Sequence, residues 1–231
     1  MKKLLYTIAM MLVLAACGND EPDVKPVKPE AVDLGLSVKW ATFNVGALEV
    51  DDYGGLYGWA DTTGSHRTLD GITMEFHDLE GYYIVNWKSV HYGGLSPLKN
   101  ISGKDCDVST YKWGSDWRIP TKAEMDELLT ECKWEQSTVG TTKGYRVTGP
   151  NGNSIFMPLA GERTDGTNVS LRGERFNYWT ANLATASEQI NDGGCQSTIL
   201  CTAWAMQFNG SNISMKPQLR CYGYSVRPVH K

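Results

Sequence analysis

The sequence predicts an α+β domain of short antiparallel sheets, one clear helix and long loops. Three observations carry that expectation. Aromatic residues make up 10% of the 231-residue chain and stand beside 24 glycines, a mix that suits turn-rich β structure better than a helical bundle. Apolar residues recur with period two in several segments and with helical spacing in one. Asn-Gly and similar turn residues separate the alternating runs. With 41% hydrophobic and 21% charged residues, the chain is ordinary globular protein rather than a disordered, collagen-like or coiled-coil chain, and it is long enough to bury a core. A formal net charge of -4 without a concentrated basic face argues against nucleic-acid binding.

The first element expected is a half-buried strand over 33–40, where Leu34, Leu36, Val38 and Trp40 alternate with polar or small residues. A second short strand is expected at 57–60. Residues 61–110 read as a long loop region with short strands. The one clear helix spans about 121–132. Thr121 and Glu124 form a capping box behind Pro120, and Met125, Leu128, Leu129 and Cys132 make one apolar stripe. Lys133-Trp134 reads as its exit. A hairpin follows, with strands near 144–148 and 154–159 around Gly149-Pro150-Asn151-Gly152-Asn153. A second joins 203–208 to 213–215 across Asn209-Gly210-Ser211-Asn212. The last strand is expected over 222–229, pairing near the first.

The N-terminus reads as an address. Lys2 and Lys3 precede an apolar stretch, 4–14, too short to span a bilayer as a helix. Leu14-Ala15-Ala16-Cys17 resembles the lipobox of bacterial lipoproteins. This implies a signal peptide over 1–16 and lipidation of Cys17, and a plain secretory signal is the alternative. Several acyl chains anchor stably where one does not. Residues 17–32 are then a lipidated cysteine and a Pro-containing flexible tether, and 33–231 a single domain. The acidic residues after Cys17 resemble the export signal of Bacteroidetes lipoproteins, so the expected location is the outer membrane, facing the exterior. Five cysteines remain: Cys106, Cys132, Cys195, Cys201 and Cys221. Their odd number leaves at least one unpaired within the chain. Cys132 reads as a buried apolar residue. Cys195 and Cys201 can bridge, with Cys221 an alternative partner for either.

Five segments together resemble one family: 33–42 with Asn44-Val45-Gly46-Ala47, Trp113 to Glu124, Gly144 to Gly161, Asn177-Tyr178-Trp179-Thr180, and Gly223 to Val229. They resemble the Fibrobacter succinogenes major paralogous domain, common in lipoproteins of gut Bacteroidetes, over nearly all of 33–229. The resemblance implies a C-type-lectin-like fold, similar in outline to formylglycine-generating enzymes and to variable proteins of diversity-generating retroelements. In those variable proteins the ligand face lies between a Tyr-Trp strand and a closing Gly-Tyr-Ser-Val-Arg strand, here 179–223. An insertion-like run, 186–202, departs from typical relatives.

The chemistry of catalysis is hard to find. His66, His77, His91 and His230 lack partners at metal-ligand spacing, and His230 reads as frayed. Neither a Gly-x-Ser-x-Gly elbow nor a Walker loop occurs. Cys195 and Cys201, or Cys201 and Cys221, can imitate the cysteine pair of formylglycine-generating enzymes, but the residues around them do not match that active site. Lys216-Pro217-Gln218 stands nearest to the calcium-holding string of sugar-binding C-type lectins, and a Lys there repels a hard cation. The expectation is therefore no enzyme, no metal and no cofactor.

What remains is a binding face. Ala203, Met206 and Phe208 fit core positions, which would turn Trp204 and Gln207 outward. Asn209, Ser211, Asn212, Lys216, Gln218, Arg220 and Tyr222 follow as surface candidates. Trp, Tyr and Arg dominate binding energy when exposed. Trp40, Trp113, Trp117 and Trp179 read as structural, and Asp116, Arg118 and Arg227 as members of buried or partly buried pairs. The expected function is recognition of a protein or glycan ligand by a membrane-anchored module. A structural or tip subunit of an envelope or pilus assembly is the second reading, and a formylglycine-generating-type enzyme the third.

Overall fold

The helix begins where its cap dictates. In the computed structural model, which describes residues 29–62, 64, 99–164, 168–184, 188–192, 195–199, 202–220 and 222–230, helix α2 runs Lys122–Glu131. Thr121 accepts the Glu124 amide, and the Glu124 side chain accepts the Thr121 amide in return. Met125 and Leu128 are fully buried, so the predicted stripe faces the core. A second helix, α1 (Val108–Trp113), has no counterpart in the sequence reading. Its six residues are too few to show a period.

The strands are β1 (Ala31–Val32), β2 (Lys39–Ala41), β3 (Trp117–Arg118), β4 (Lys133–Val139), β5 (Thr142–Thr148), β6 (Ser154–Pro158), β7 (Phe176–Leu183), β8 (Glu188–Asp192), β9 (Cys195–Ile199), β10 (Thr202–Phe208), β11 (Ile213–Leu219) and β12 (Val229–His230). They form four small sheets, ordered β1-β2-β12-β3, β11-β10-β7, β4-β5-β6 and β8-β9. Every pairing between these strands is antiparallel. The described residues thus form a mixed, mostly strand α+β fold with two helices.

Both predicted hairpins are present. β5 and β6 pair around the 149–153 turn, and β10 and β11 pair over seven positions. β4 extends the first hairpin where a helix exit was expected, because Gly140 (φ 56°) and Thr141 close a two-residue turn between Val139 and Thr142. Gly at the first central position is what a type II′ turn requires. The terminal strands lie side by side as expected, with Val229 opposite Trp40. β1 places Ala31 and Val32 in the fold, so the ladder reaches into the stretch read as tether. The insertion-like run contains the β8-β9 hairpin.

Three expected strands are not continuous. Over 33–40 burial does alternate, with Leu34 and Trp40 fully buried. An Asx turn, in which the Gly35 amide donates to Asp33 Oδ1 at 2.7 Å, bends the backbone away from any ladder. Tyr57 makes one isolated bridge, to Tyr224. Residues 223–225 bridge in turn to Arg163, Tyr57 and Tyr178, three different segments, so this stretch, buried throughout 223–229, has no single partner strand before β12. His230 is not frayed: it sits in β12 with its ring edge-on to Trp117 at 4.9 Å.

The sheet β11-β10-β7 separates two cores. On one side Met206, Phe208, Phe176 and Tyr178 pack with Met125, Leu128, Tyr145 and Met157. On the other Ala203, Ala205, Trp179 and Ala181 pack with Trp59, Ile101, Val108 and Tyr224. Trp40, Trp117 and Trp179 are buried, and Trp113 packs partly buried on the second core, so the structural reading of these four holds.

The expected ion pairs are rearranged. Asp116 is exposed. Arg118 instead grips Glu124 in a two-pronged bond, at 2.8 and 2.5 Å. Burial alone would raise the Glu124 carboxyl, but the Arg118 hydrogen bond and the Thr121 amide outweigh it and hold the group below the usual carboxylate range. A carboxyl held low in the folded chain stabilises above its unfolded value, and that contribution is lost as pH falls through the folded value. Glu124→Gln is expected to cost about 1–2 kcal/mol at neutral pH and to flatten the acid limb of the stability curve. Denaturant midpoints measured from neutral into acid pH check both.

The expected signal sequence, Cys17, residues 18–28, His66, His77, His91, Cys201 and Cys221 lie outside the described residues, so the expected bridge from Cys201 does too. Cys106 and Cys132 are buried. Burial, with Glu127 and Glu131 nearby, pushes the Cys132 thiol up to about 11. Only the thiolate is nucleophilic, so Cys132 should resist iodoacetamide at neutral pH in the folded chain and react once it is unfolded. Peptide mapping of the alkylated protein checks this. No described helix is long and apolar enough to cross a membrane.

Candidate functional site

Strand β10 sets the geometry of the candidate face, because alternate side chains leave a strand on opposite sides. Its register pairs Ala203 with Gln218, Ala205 with Lys216 and Gln207 with Ser214. Ala205 also lies opposite Trp179, and Gln207 opposite Asn177. These residues share one face. Trp204, Met206 and Phe208 take the other, opposite Pro217, Met215 and Ile213.

This corrects the expected grouping. Trp204 and Gln207 are three positions apart and therefore lie on opposite faces. Trp204 is half-buried beside α2, where Lys122 Nζ lies 4.8 Å from its ring centroid. Gln207 is also half-buried. Its Nε2 donates to Asn177 Oδ1 at 2.9 Å, and Asn177 Nδ2 donates to Glu162 Oε2 at 2.8 Å. That chain fixes the Gln207 amide.

Lys216 is exposed and Gln218 half-exposed on the same face. Tyr224, itself buried, donates its hydroxyl proton to Gln218 Oε1 at 3.1 Å. Tyr222 is half-exposed and packs on Tyr224, with centroids 6.0 Å apart. Asn209, Ser211 and Asn212 are exposed at the hairpin tip. Asn209 Oδ1 accepts the amides of Ser211 and Asn212 at 3.1 and 3.2 Å and the Ser211 hydroxyl at 2.9 Å, so its side chain shapes the turn.

Arg220 does not belong to the surface set. It is 6% exposed, with its guanidinium 4.7 Å over the Trp59 ring. Stacking on an aromatic face is favoured by the weak hydration of guanidinium, and here it draws the residue inward. In the core that holds Trp59, Tyr57 is pushed up to about 12 by burial and by Asp61, so its hydroxyl stays neutral. Burial lowers Arg163 while Asp61 opposes.

The structure therefore brings Gln207, Lys216 and Gln218 together, with Tyr222 adjoining. It places Asn209, Ser211 and Asn212 at the tip and sends Trp204 and Arg220 elsewhere. Sequence reasoning missed Ser214, Asn177 and Glu162. The first follows from the hairpin register. The other two come from β7 and the loop before it, whose pairing with β10 no local pattern announces. Among the described residues no group of three His, Cys, Asp or Glu side chains is placed to hold a metal ion. In comparisons with protein-family models, with characterised proteins and with solved structures, nothing matches this chain.

Proposed function

We propose that the chain is a lipid-anchored, outward-facing, non-enzymatic recognition module of the outer membrane, with a C-type-lectin-like domain resembling the Fibrobacter succinogenes major paralogous domain. It binds a protein or glycan through its C-terminal hairpin. The observation that carries this is the polar face of β10 and β11. Gln207, Ser214, Lys216 and Gln218 present amides, a hydroxyl and an amine from a sheet whose interior is packed on both sides. The Gln207 and Gln218 amides, held by Asn177 and Tyr224, lose little freedom on binding. The lipobox-like run ending at Cys17 supports the anchor. The lectin-like outline is supported by β12 pairing with the early strand β2 and, among the described residues, by two helices set beside small antiparallel sheets.

The test is binding of residues 18–231 to arrays of glycans and of host and envelope proteins, with calcium and with chelator. A specific ligand is expected whose affinity falls at least about tenfold in Lys216→Ala or Gln218→Ala, the loss of a charged hydrogen bond or a well-placed one. Asn212→Ala should change it little. Loss confined to Trp204→Ala would move the face to the α2 side. No ligand in either condition would count against recognition and favour an envelope-assembly subunit.

A further inference from the structure

We propose a second binding site, independent of the C-terminal face: strand β4 accepts an extended peptide segment of a partner protein, which seats an apolar side chain and a carboxylate beside Arg146. The argument begins with the edge. β4 lies at the outside of β4-β5-β6 and pairs over seven positions without a bulge. The two-residue turn makes Val139 and Thr142 a hydrogen-bonded pair, so alternation turns the backbone groups of Trp134, Gln136 and Thr138 away from β5. The same alternation holds across the sheet. Leu159 donates to the Lys143 carbonyl, while the Phe156 and Pro158 carbonyls point outward and are taken by Arg227 and Tyr178. The outward amides of β4 have no such partner among the described residues. The other long hairpin edge, β11, is blunted by Lys216 and Pro217, devices that discourage strand addition. β4 carries no proline, and its one lysine stands at its first position.

A cavity of about 190 Å³ opens on the face beside this edge. Val139, Phe156 and Val50 supply its apolar surface, and Ser137 and Arg146 line it as well. Ser137 and Val139 are on the side of β4 that an added strand would match residue for residue. Arg146 is exposed. Its cross-strand neighbour Glu135 is taken by Lys133 at 2.9 Å, and no acid among the described residues pairs with the guanidinium. An apolar hollow of one-side-chain size, a cation at its rim and a free ladder beside it match an extended peptide with an apolar residue and an Asp or Glu on the same face.

The test pans a phage-displayed library of random nonapeptides against the full-length chain in detergent, then measures the enriched peptide in solution. Enrichment of alternating sequences with one acidic residue is expected. The bound peptide should slow hydrogen exchange at the Trp134, Gln136 and Thr138 amides. Arg146→Gln should weaken binding at least tenfold, and Gln136→Pro, which removes an outward amide without touching the β5 ladder, should abolish it. Gln136→Ala controls for the side chain. If Gln136→Pro does not fold, the exchange pattern of the unaltered chain decides. No enrichment, protection elsewhere, equal binding to Arg146→Gln, or self-association that Gln136→Pro abolishes, showing a second copy on the edge, would each overturn the proposal.

Discussion

Arg227→Met is expected to lower stability by about 3–5 kcal/mol, the range for stripping partners from a buried charged group, and the melting midpoint by roughly 10 °C. Arg227 is fully buried. Its Nε donates to Asn44 Oδ1 at 2.9 Å, Nη1 to the Ala41 carbonyl at 3.0 Å and Nη2 to the Phe156 carbonyl at 2.8 Å. Asn44 in turn donates to the Tyr178 hydroxyl at 3.3 Å. One side chain thus ties β2, β6 and β7, members of three sheets. Burial pushes the Arg227 guanidinium down from its ordinary value and the Tyr178 hydroxyl up. Methionine fills similar space but leaves two carbonyls and an amide oxygen without donors. Arg227→Lys should recover part of the loss, because one ammonium cannot reach three acceptors spread around a planar fork. Equilibrium denaturation of the three proteins checks the order, and a loss under 1 kcal/mol in Arg227→Met would refute it.

Asp107→Asn is expected to cost about 2–4 kcal/mol although it preserves shape. The buried carboxylate caps α1, with Oδ1 accepting the Ser109 and Thr110 amides at 2.8 and 3.4 Å. Its Oδ2 accepts the amides of Gly103 and Ile119, each at 2.8 Å. Both oxygens are therefore committed. An Asn amide nitrogen in either position would face N–H donors, and the loop at 103, helix α1 and the entry to α2 would lose their common fastening. Asp107→Ala should be no less damaging. Near-neutral behaviour of the Asn variant in urea denaturation would sink the argument.

The parts legible in the sequence are those whose signal is local. The α2 cap needs only Thr121 and Glu124 to recognise each other, and the hairpins need only turn residues between alternating runs. The missed parts depend on partners far away in the chain. Leu34 and Trp40 alternate in burial, yet the Asp33–Gly35 turn keeps most of that run out of a ladder. Asp107 looks like one more loop acid until the Ile119 amide arrives to meet it. Arg220 looked like a surface residue because nothing near it in sequence forecasts the Trp59 ring. Trp204 and Gln207 differ in another way. Strand parity alone separates them, once the strand is taken as regular through both positions.

The short ladder at Ala31–Val32 has a mechanical meaning. β1 holds β2 through two residue pairs, Ala31 with Ala41 and Val32 with Trp40. Tension entering from before Glu30 first meets the two bonds between Glu30 and Thr42, at 3.1 and 3.2 Å, then these pairs, and peels them one after another, the weak way to load a strand. The next hold is of another kind. Leu34 is fully buried, and its carbonyl lies so close to Gly149 that a Cβ there would sit 2.0 Å from it. The first two pairs can therefore yield like a fuse, taking up slack while Leu34 stays wedged and the sheets behind it keep their shape.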